Sequence, residues 1–366
     1  MSDTRPIIIP FSDDSTLIFA RRMRQVLRET HPECPVEMTW YTEENALSYR
    51  QMCTLLPQGP ERVVDRHGLR ALLYDPSVRA LITSRVYLPI STELKQLEYH
   101  SLKARPCIIG FLGGLDFFPQ DGFMRRRNCD GVFVFPKPAI KDYHTLKAGL
   151  TEPTKGCWQR VDFGHPAVIH PPAPAPVPAL PSISLSARRD IYFFTQAISP
   201  LTKRARRHVL QAVVALARAH PDRGVYIKLR HLPSENTKHL HRERYPYSEL
   251  LDTLGPLPAN LHVTDADMES VLKTAALGIT CTSTAALDVV RAGVPCMIYL
   301  EYVDHYRDRL AAPMQHLFEG SNLITSLEDL LHLNVKAPDP DWLANMFCPP
   351  DLGARVLAMI AEFHAR

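Results

Sequence analysis

Short apolar runs alternate along the chain with longer segments in which apolar residues recur at helical spacing. Runs of the first kind predict buried strands, and segments of the second kind predict amphipathic helices. Strands that alternate with helices form parallel sheets covered on both faces, so the pattern predicts an α/β fold. In the first half of the chain the predicted strands are residues 6–10, 36–41, 80–84, 106–111 and, as the last of this half, 131–135, and the predicted helices are 17–29, 61–73 and 92–102.

The same alternation starts again after a proline-rich stretch at residues 170–178. Prolines cannot donate backbone hydrogen bonds, and the stretch favours an extended polyproline form. We interpret it as an interdomain linker, with the alternative that it forms one wall of a cleft. The predicted strands of the second half are 190–196, 224–228, 261–264, a core strand at Gly278 and 296–300, and the helices are 202–220, 268–276, 285–292 and 351–364. The predicted divisions are an N-terminal domain at 1–165, a linker at 166–183, a C-terminal domain at 184–345 and a terminal helix at 346–366.

Length and composition narrow the class of protein. A chain of 366 residues is longer than one core usually supports, which favours two domains. A hydrophobic content of 45% and a charged content of 22% are typical of an ordinary globular protein. The net charge of +3 is too small to indicate a nucleic-acid partner. Basic runs at residues 21–24 and 125–127 are expected to be solvated helix faces, and peripheral contact with a membrane or an acidic partner is the alternative.

Targeting and metal-binding patterns are weak. The first residues lack the basic-then-apolar order of a secretory signal, and no apolar run approaches the length of a membrane span, so we expect a cytoplasmic protein, with the inner membrane face as a second location. Eight cysteines are scattered without a paired spacing, which predicts core thiols in a reducing compartment and no metal site.

Basic side chains follow the predicted strand that ends near residue 228. Lys228, Arg230 and His231 place three potential cations where this strand ends. Such a group can hold an anionic phosphate, and the alternative is an ordinary surface end of a strand.

Hydroxyl residues follow the core strand at Gly278. Thr282, Ser283 and Thr284 precede the helix at 285–292, and we expect them to cap it. A helix N-terminus with free N–H groups holds phosphate well. The two loops are expected at neighbouring strand ends, where α/β sheets bind ligands.

The arrangement of two Rossmann-like halves, with anion-binding features in the second, resembles the GT-B glycosyltransferases. The resemblance implies two parallel sheets facing across a cleft. The helix with Ser283 and Thr284 at its start, Asp288 one turn on and Gly293-Val294-Pro295 at its end is similar to the donor-nucleotide helix of that superfamily.

Two narrower resemblances concern motifs. Lys228-x-Arg230-His231-x-Pro233, followed by Ser283-Thr284, is similar to the motifs of GT-B sialyltransferases and Kdo transferases, which use CMP-activated acidic sugars. Here Leu232 interrupts the histidine-proline pair, and Gln120-Asp121-Gly122 is the nearest counterpart of the acidic triplet that carries the base. The chain also resembles a bacterial glycosyltransferase-like family with an Asp-Ser turn after the first strand and a run that here comprises Lys228, Arg230, Glu235, His239, Tyr245 and Pro246.

These resemblances imply an inverting, metal-independent transfer of an acidic sugar from a CMP-sugar to a glycan or lipid-linked glycan in bacterial surface polysaccharide synthesis. The donor is a substrate, and no cofactor is implied. A UDP- or GDP-sugar transferase on the same fold, and a non-catalytic partner that binds nucleotide sugars or glycans, remain alternatives. The sequence does not fix the oligomeric state.

In such a transfer the departing phosphate is stabilised by cations and N–H groups. Lys228, Arg230 and His231 would supply the cations, and Thr282, Ser283 and Thr284 the hydroxyl and N–H groups. His231 would also donate a proton, although a lone histidine is as often structural. The remaining donor-side candidates are Asp288 for ribose, or as an ordinary helix-surface carboxylate; Gln196 for phosphate or acceptor, or as a satisfied turn amide; Thr264 near the base; and Glu235 and His239 in a polar loop.

The general base is expected in the first half. Asp13 and Asp14 follow the first strand, and Asp116 follows a bend at Gly113-Gly114. A carboxylate in a closing cleft can take a proton from an acceptor hydroxyl. Asp116 is preferred as the base and Asp14 for acceptor binding, with the reverse left open. One of Asp13 and Asp14 is expected to cap the first helix instead.

Overall fold

The computed structural model describes residues 3–44, 46–116, 120–151, 157–170, 189–238 and 241–366. The chain forms two compact units. Unit 1 contains the chain up to Ile169 together with Asn345–Arg366, and unit 2 contains His170–Thr237 and His241–Ala344. Most of the predicted linker, residues 171–183, lies outside the described residues.

Unit 1 is built on a parallel sheet. Its strand order is β3-β2-β1-β4-β5-β6-β7 within the described residues. The strands are β1 (Ile7–Phe11), β2 (Val36–Tyr41), β3 (Arg62–Val64), β4 (Ala80–Thr83), β5 (Cys107–Phe111), β6 (Gly131–Val134) and β7 (Arg160–Phe163). The helices are α1 (Asp14–Thr30), α2 (Tyr49–Leu55), α3 (Arg66–Tyr74), α4 (Leu88–Glu93), α5 (Leu97–His100), α6 (Asp121–Arg126), α7 (Ala139–Ala148) and, from the end of the chain, α15 (Leu352–His364).

Burial explains why the central strands of unit 1 are apolar throughout. Every residue of β1, β4, β5 and β6 is buried. Because neighbouring parallel strands and helices cover both faces, an alternating polar pattern would place polar groups in the core. The sequence pattern was therefore sufficient to find these strands.

The C-terminal segment completes unit 1. The Cys348 N–H donates to Val168 O (2.7 Å), and the Arg355 guanidinium donates to Phe163 O (2.7 Å). α15 packs on α1, where a Cβ added to Gly353 would lie 2.6 Å from the backbone oxygen of Val26. Glycine at this position therefore lets the two helices approach closely.

Unit 2 repeats the same architecture. Its strand order is β10-β9-β8-β11-β12-β13, and every pair is parallel. The strands are β8 (Asp190–Phe194), β9 (Val225–Lys228), β10 (Leu261–Thr264), β11 (Ala275–Thr280), β12 (Cys296–Tyr299) and β13 (Ile324–Thr325). The helices are α8 (Lys203–Ala219), α9 (Tyr247–Leu251), α10 (Met268–Thr274), α11 (Ala285–Arg291), α12 (Ala311–Phe318) and α13 (Leu327–His332), and α14 (Pro340–Met346) leads back towards the unit 1 segment.

Three predictions of secondary structure are wrong. The segment predicted as one helix at 61–73 forms β3 and then α3, because Asp65 accepts a hydrogen bond from the Gly68 N–H and caps a helix that starts later. The helix predicted at 92–102 is two short helices, α4 and α5, and α4 begins earlier, at a proline-bearing first turn. β6 is not the last strand of its sheet, since the polar edge strand β7 pairs with it.

In the described parts of the chain, no helix is both long enough and apolar enough to cross a membrane.

Candidate functional site

The strand order of unit 2 places a topological switch point between β8 and β11. From β8 the chain proceeds outward to β9 and β10, and from β11 it proceeds in the opposite direction to β12 and β13. In open α/β sheets, ligands bind beside the carboxyl ends of the two strands at such a switch point. The segments that begin at Thr195 and Cys281 therefore border the expected ligand position.

The two loops singled out in the sequence are not on directly neighbouring strands. Lys228 ends β9, Thr280 ends β11, and β8 lies between the two. That prediction of adjacency is wrong. Because all three strands are parallel, their carboxyl ends still share one edge of the sheet.

Gln196 and Arg230 meet at this edge. The Arg230 guanidinium donates to the Gln196 side-chain oxygen (3.3 Å), and the Ala197 N–H donates to the same oxygen (2.7 Å). Thr195 was not among the predicted site residues. Its N–H and its hydroxyl both donate hydrogen bonds to Lys228 O (3.1 Å each). The loops after β8 and β9 are thus joined by hydrogen bonds.

Lys228 and Thr264 make hydrogen bonds at the ends of their strands. The Lys228 ammonium donates to the adjacent Leu229 O (2.7 Å). The Leu229 N–H continues the ladder to Thr264 O (2.8 Å), and the Thr264 hydroxyl accepts from the Ala266 N–H (3.2 Å). Both side chains are half-buried.

His231 is buried, and its ring contacts the side chain of Asn236. Its Nε2 lies 3.2 Å from the Asn236 side-chain oxygen. Glu235 accepts from the Leu232 N–H (3.1 Å) and closes the first turn of a 3-10 helix, Pro233–Lys238. His239, the other residue predicted here, lies outside the described residues.

A buried arginine that the sequence pattern did not indicate connects several segments at this edge. Arg206 on α8 is 1% exposed and contacts the Glu243 carboxylate. Its guanidinium also donates to Pro200 O (2.9 Å) and Gln196 O (3.2 Å) and lies over the Tyr247 ring at 4.9 Å. Burial raises the pKa of Glu243, and the positive charge of Arg206 opposes that effect.

The hydroxyl loop after β11 is built differently from the prediction. Thr284 is the N-cap residue of α11, but its side chain makes no capping hydrogen bond. The Ser283 hydroxyl accepts from the Ala285 N–H (3.3 Å). The expected hydroxyl cap is therefore limited to Ser283. Thr284 has helical backbone angles, so it continues the first turn of the helix instead of preceding it as a capping residue does. α11 itself is only seven residues long.

Thr282 belongs to a buried polar cluster. Its hydroxyl bonds to the Ser199 hydroxyl, which donates in turn to Asp308 (2.5 Å). The Tyr302 hydroxyl donates to the same carboxylate oxygen (2.9 Å), and burial raises the pKa of Tyr302 so that it stays protonated. This cluster ties together the loops after β8, β11 and β12.

Asp288 lies one turn into α11. Its carboxylate pairs with Arg291 at 3.3 Å, and its side chain is 16% exposed. This is an i,i+3 ion pair within one helix.

Unit 1 has its own switch point, between β1 and β4. Asp13 caps α1 there: its carboxylate accepts from the Thr16 N–H (2.8 Å), and the Thr16 hydroxyl completes a capping box. The second carboxylate oxygen of Asp13 pairs with Arg85 at 3.0 Å. Asp13, rather than Asp14, is thus the helix cap.

Arg85 joins two carboxylates at this edge. Besides Asp13 it pairs with Glu44 at 3.2 Å, and Glu44 accepts from the Ser12 hydroxyl (2.8 Å). Asp14 is half-buried, and its carboxylate accepts from the Ser15 N–H (2.9 Å).

Asp116 pairs with a buried arginine. Arg126 is 1% exposed, lies 3.1 Å from the Asp116 carboxylate and donates to the backbone oxygens of Phe111, Gly122 and Ser84. The prediction that the basic run at 125–127 is a solvated helix face is therefore wrong for its central residue. Arg126 is buried, and its guanidinium donates to backbone carbonyls. The side chain of Asp116 is half-exposed.

Asp13 and Asp14 lie at the start of α1, after β1, and Asp116 follows β5, which is two strands along the same sheet. Across the residues the structure describes, no group of three or more His, Cys, Asp or Glu is arranged to hold a metal ion.

The chain matches the sequence profile of one family, described as "Putative glycosyltransferase (DUF6716)", over residues 12–362. No curated protein shows significant similarity to the chain.

Solved structures similar to this chain share its fold at low sequence identity. The Listeria monocytogenes protein described as a "putative UDP-N-acetylglucosamine 2-epimerase" is 13% identical, with a TM-score of 0.62 over 99% of this chain and 97% of its own. UDP-GlcNAc 2-epimerase from Methanocaldococcus jannaschii, in complex with UDP-GlcNAc and UDP, is 13% identical, with a TM-score of 0.59 over 98% and 99%. Phytolacca americana UGT2, complexed with UDP-2fluoro-glucose and pterostilbene, is 12% identical, with a TM-score of 0.52 over 99% and 100%. These similarities show the fold class: two Rossmann-like α/β domains of the GT-B type.

Proposed function

Since the chain belongs to the family described as "Putative glycosyltransferase (DUF6716)", we propose that it transfers a sugar from a nucleotide-sugar donor, bound at the carboxyl edge of unit 2, to a glycan acceptor. The observation that carries the proposal is the contact between Arg230 and Gln196 beside the switch point of the unit 2 sheet. It presents a guanidinium where parallel sheets of this kind bind ligands.

The proposed chemistry follows from the charge of the leaving group. When a sugar leaves a nucleotide, negative charge develops on a phosphate oxygen, and fixed donors aimed at that oxygen lower the barrier. Arg230 and Lys228 are proposed to supply positive charge from one side. Ser283 and the backbone N–H groups of its loop are proposed to supply hydrogen bonds from the other. A guanidinium offers two parallel donors to phosphate, so Arg230 is the stronger candidate of the two cations.

The donor is proposed to be a pyrimidine nucleotide sugar. A CMP-activated acidic sugar is supported by the Lys228-x-Arg230-His231 motif and its resemblance to the sialyltransferase and Kdo transferase motifs. A UDP-sugar is supported by the names of structurally similar proteins that bind UDP or its sugars. For either donor, Lys228 and Arg230 are proposed to neutralise the charge of the leaving phosphate without a metal ion.

The base is proposed to be Asp116 or Asp14. Asp13 is the weaker candidate, because both its carboxylate oxygens are engaged, one by the cap of α1 and one by Arg85. The ion pair between Asp116 and Arg126 would have to loosen for Asp116 to accept a proton.

The test compares nucleotide binding by two variants of the full chain. CMP, CDP, UDP and GDP are titrated against the wild-type protein by calorimetry, and the tightest nucleotide is then titrated against Arg230→Ala and Arg218→Ala. Arg218 is an exposed arginine of α8 in the same unit, so its loss is a matched control for the removal of one positive charge. Loss of a charge-assisted hydrogen bond of about 1.5–3 kcal/mol predicts roughly 10- to 100-fold weaker binding for Arg230→Ala and little change for Arg218→Ala. Binding of no nucleotide, or equal weakening by both variants, overturns the proposal.

A second candidate is epimerisation of a UDP-sugar, since the similarity to two 2-epimerase structures (TM-scores of 0.62 and 0.59) exceeds that to the plant transferase (0.52). Incubation with UDP-GlcNAc in the absence of any acceptor, followed by proton NMR, separates the two. Appearance of the C2 epimer supports epimerisation. Its absence, with UDP released only when acceptor is added, supports transfer.

A further inference from the structure

The start of α8 and the loop after β12 meet at the carboxyl edge of the unit 2 sheet. The Thr202 hydroxyl donates to the Asp304 carboxylate (3.1 Å), and the Val303 N–H donates to His208 Nδ1 (3.5 Å). The two segments therefore form one continuous surface. We call its group of exposed cations, together with the exposed Tyr306, the basic face: Lys203, Arg204, Arg207, Arg307 and Arg309.

The carboxylates of these two segments do not balance the cations of the basic face. Asp304 lies 3.9 Å from Arg204, and its side chain is only 13% exposed. Asp308 is buried and accepts hydrogen bonds from Ser199 and Tyr302. Glu301 is exposed. The surface thus carries an excess of positive charge that is open to solvent.

Lys203 and Arg204 lie where positive charge is unfavourable for the helix that carries them. They occupy the first turn of α8, which contains no acidic residue. Because the N-terminal turn of a helix has a partial positive charge, acidic residues stabilise it and basic residues do not. α1, α10 and α13 follow this rule, with Asp14, Glu269 and Glu328 in their first turns. Local rules of this kind are broken mainly at functional sites, so we expect the two cations to serve a ligand.

The basic face borders the proposed donor site. The Ser199 hydroxyl, shortly before α8, bonds to the Thr282 hydroxyl and donates to Asp308 (2.5 Å). Arg307 and Arg309 are the two neighbours of Asp308 in the chain. A ligand on the basic face therefore lies next to the loop after β11, which is proposed to hold the donor phosphate.

Tyr306 adds an aromatic ring to the basic face. Its side chain is 78% exposed, and its ring contacts that of His305 at a centroid distance of 6.2 Å. An exposed tyrosine offers an apolar ring face and a polar hydroxyl. A sugar ring has the matching groups, since its C–H bonds form apolar patches between its hydroxyls.

We propose that the basic face binds an acidic glycan, whose carboxylate or phosphate groups pair with the cations while one of its sugar rings packs on Tyr306. Guanidinium groups suit this role because they bind such anions through two parallel hydrogen bonds. The assignment of this glycan as the acceptor rests on the proposed function, but its binding does not require sugar transfer.

An anionic membrane is the other partner that matches the charge. Leu201, next to the basic face, is 46% exposed, and an apolar side chain contributes to contact with a bilayer but not to binding of a hydrated glycan. The position of the basic face favours the glycan, because α/β sheets bind their ligands at the carboxyl edge. The test therefore includes both partners.

The test titrates the full chain with oligogalacturonate, a glycan that carries carboxylates, by calorimetry at low salt. A neutral maltooligosaccharide of the same length is the reference ligand. Arg307→Glu/Arg309→Glu reverses two charges of the basic face. Arg218→Glu/Lys336→Glu is the matched control: Arg218 is exposed in the last turn of α8, and the exposed Lys336 follows α13, which packs on α8.

The wild type is expected to bind oligogalacturonate and not the neutral reference. Arg307→Glu/Arg309→Glu should weaken binding roughly tenfold, and the control should change it by less than about twofold. Tyr306→Ala keeps every charge and should weaken binding roughly fivefold, because the ring contact is lost. Thermal unfolding of each variant confirms that it is folded.

The proposal is overturned if oligogalacturonate does not bind, if both double variants weaken binding equally, or if Tyr306→Ala binds as the wild type does. It is also overturned if the protein prefers phosphatidylglycerol vesicles and loses them in Leu201→Ser, which identifies a membrane surface. A wild type that binds oligogalacturonate but no nucleotide keeps the basic face and loses the proposed function. One that binds a nucleotide but not oligogalacturonate loses only the basic face.

Discussion

His165 shows how one buried side chain can limit the acid stability of unit 1. It follows β7, and its ring packs against those of Phe19, Phe111 and Phe135 at centroid distances of 5.1–6.2 Å. Burial lowers the pKa of His165 from 6.5 to about 3, and the positive charges of Arg22 and Arg126 act in the same direction. The ring is thus neutral in the folded state, and its Nδ1 accepts from the Ala167 N–H (3.1 Å).

This depressed pKa predicts a pH dependence with a definite sign. Below pH 6.5 the unfolded chain binds a proton at this histidine and the folded chain does not, so stability falls as the pH falls towards 3. Between pH 6.5 and 5 the loss from this residue is about 2 kcal/mol. His165→Asn keeps an acceptor near the Ala167 N–H. Between pH 6.5 and 5 the unfolding free energy of this variant is expected to fall by about 2 kcal/mol less than that of the wild type.

The control for this experiment is His144→Asn, at an exposed position on α7 of the same unit. Its plot of unfolding free energy against pH should keep the slope of the wild type. Equal slopes for the wild type and His165→Asn, measured by urea unfolding at a series of pH values, would contradict the prediction.

Asp13 and Asp14 are adjacent in the sequence but have different structural roles. Asp13 is buried and caps α1, whereas Asp14 is half-buried in the first turn. Loss of an N-cap costs about 0.5–2 kcal/mol, and Asp13→Ala also leaves Arg85 without one of its two carboxylates. Asp13→Ala is expected to lower the unfolding free energy of unit 1 by about 1–2 kcal/mol, and Asp14→Ala to leave it within about 0.5 kcal/mol.

Hydrogen exchange of the α1 amides measures this difference locally. Faster exchange in Asp14→Ala than in Asp13→Ala would mean that the capping assignment is reversed. Turnover measured on the same two proteins separates a structural carboxylate from one that touches the acceptor: loss of turnover in Asp14→Ala at unchanged stability marks the second kind.

At the scale of elements, the contact between β11 and α11 depends on Gly278. A Cβ added there would lie 2.8 Å from both methyl carbons of Val289 and 3.1 Å from the Phe194 ring. Gly278→Ala is therefore expected to push α11 away from the sheet and to destabilise unit 2 by about 1–3 kcal/mol. Since the hydroxyl loop lies between β11 and α11, nucleotide binding should weaken as well.

The double variant Gly278→Ala/Val289→Ala makes this prediction specific. Removing the opposing methyl groups should recover part of the lost stability, because the two positions are in contact. Gly149→Ala, whose new Cβ would be in ordinary contact at 3.4 Å from Leu146 O, serves as the control and should be nearly neutral. Additive effects in the double variant, measured by thermal unfolding, would show that crowding against Val289 is not the cause.

The elements that the sequence predicts well are those whose pattern is local. β2 and β10 are found at the predicted residues, and α8 within one residue of them at each end. β10 is an edge strand without a buried residue, but its apolar and polar residues alternate, and α8 shows the period of an amphipathic helix. β7 was missed because it is a polar edge strand, with only Phe163 buried. Its place in the sheet depends on pairing with β6, which no local pattern reports.

The sequence predicted which loops form the candidate site, but not which residues contact each other there. The run from Lys228 to His231 and the hydroxyls after β11 do lie at the carboxyl edge of the unit 2 sheet. Arg206 and Arg126 were missed because an arginine is ordinarily exposed. Their burial is stabilised by carbonyls and carboxylates far away in sequence, such as Glu243 for Arg206 and Ser84 for Arg126.

At the scale of the whole molecule, each unit has its own core, and the proposed donor site lies within unit 2. A ligand that binds only the folded form of a unit raises its stability by about 2.7 kcal/mol at a concentration 100 times its dissociation constant. The best nucleotide from the binding test is therefore expected to raise the unfolding midpoint of unit 2 and to leave that of unit 1 unchanged.

The tryptophans allow the two transitions to be followed separately. Trp40 and Trp158 are in unit 1 and Trp342 is in unit 2, and the chain has no others. Trp342→Phe leaves fluorescence from unit 1, and Trp40→Phe/Trp158→Phe leaves fluorescence from unit 2. A nucleotide-dependent shift confined to the unit 1 signal would place the nucleotide in the wrong unit.

The return of Asn345–Arg366 to unit 1 has a consequence for biosynthesis. On the ribosome, all strands of unit 2 emerge before the helix that packs on α1, so the unit that starts first is the one that finishes last. In a nascent chain of this protein the uncovered side of α1 therefore stays without its partner helix until α15 has emerged, which reverses the usual N-terminal-first order of completion for these two units.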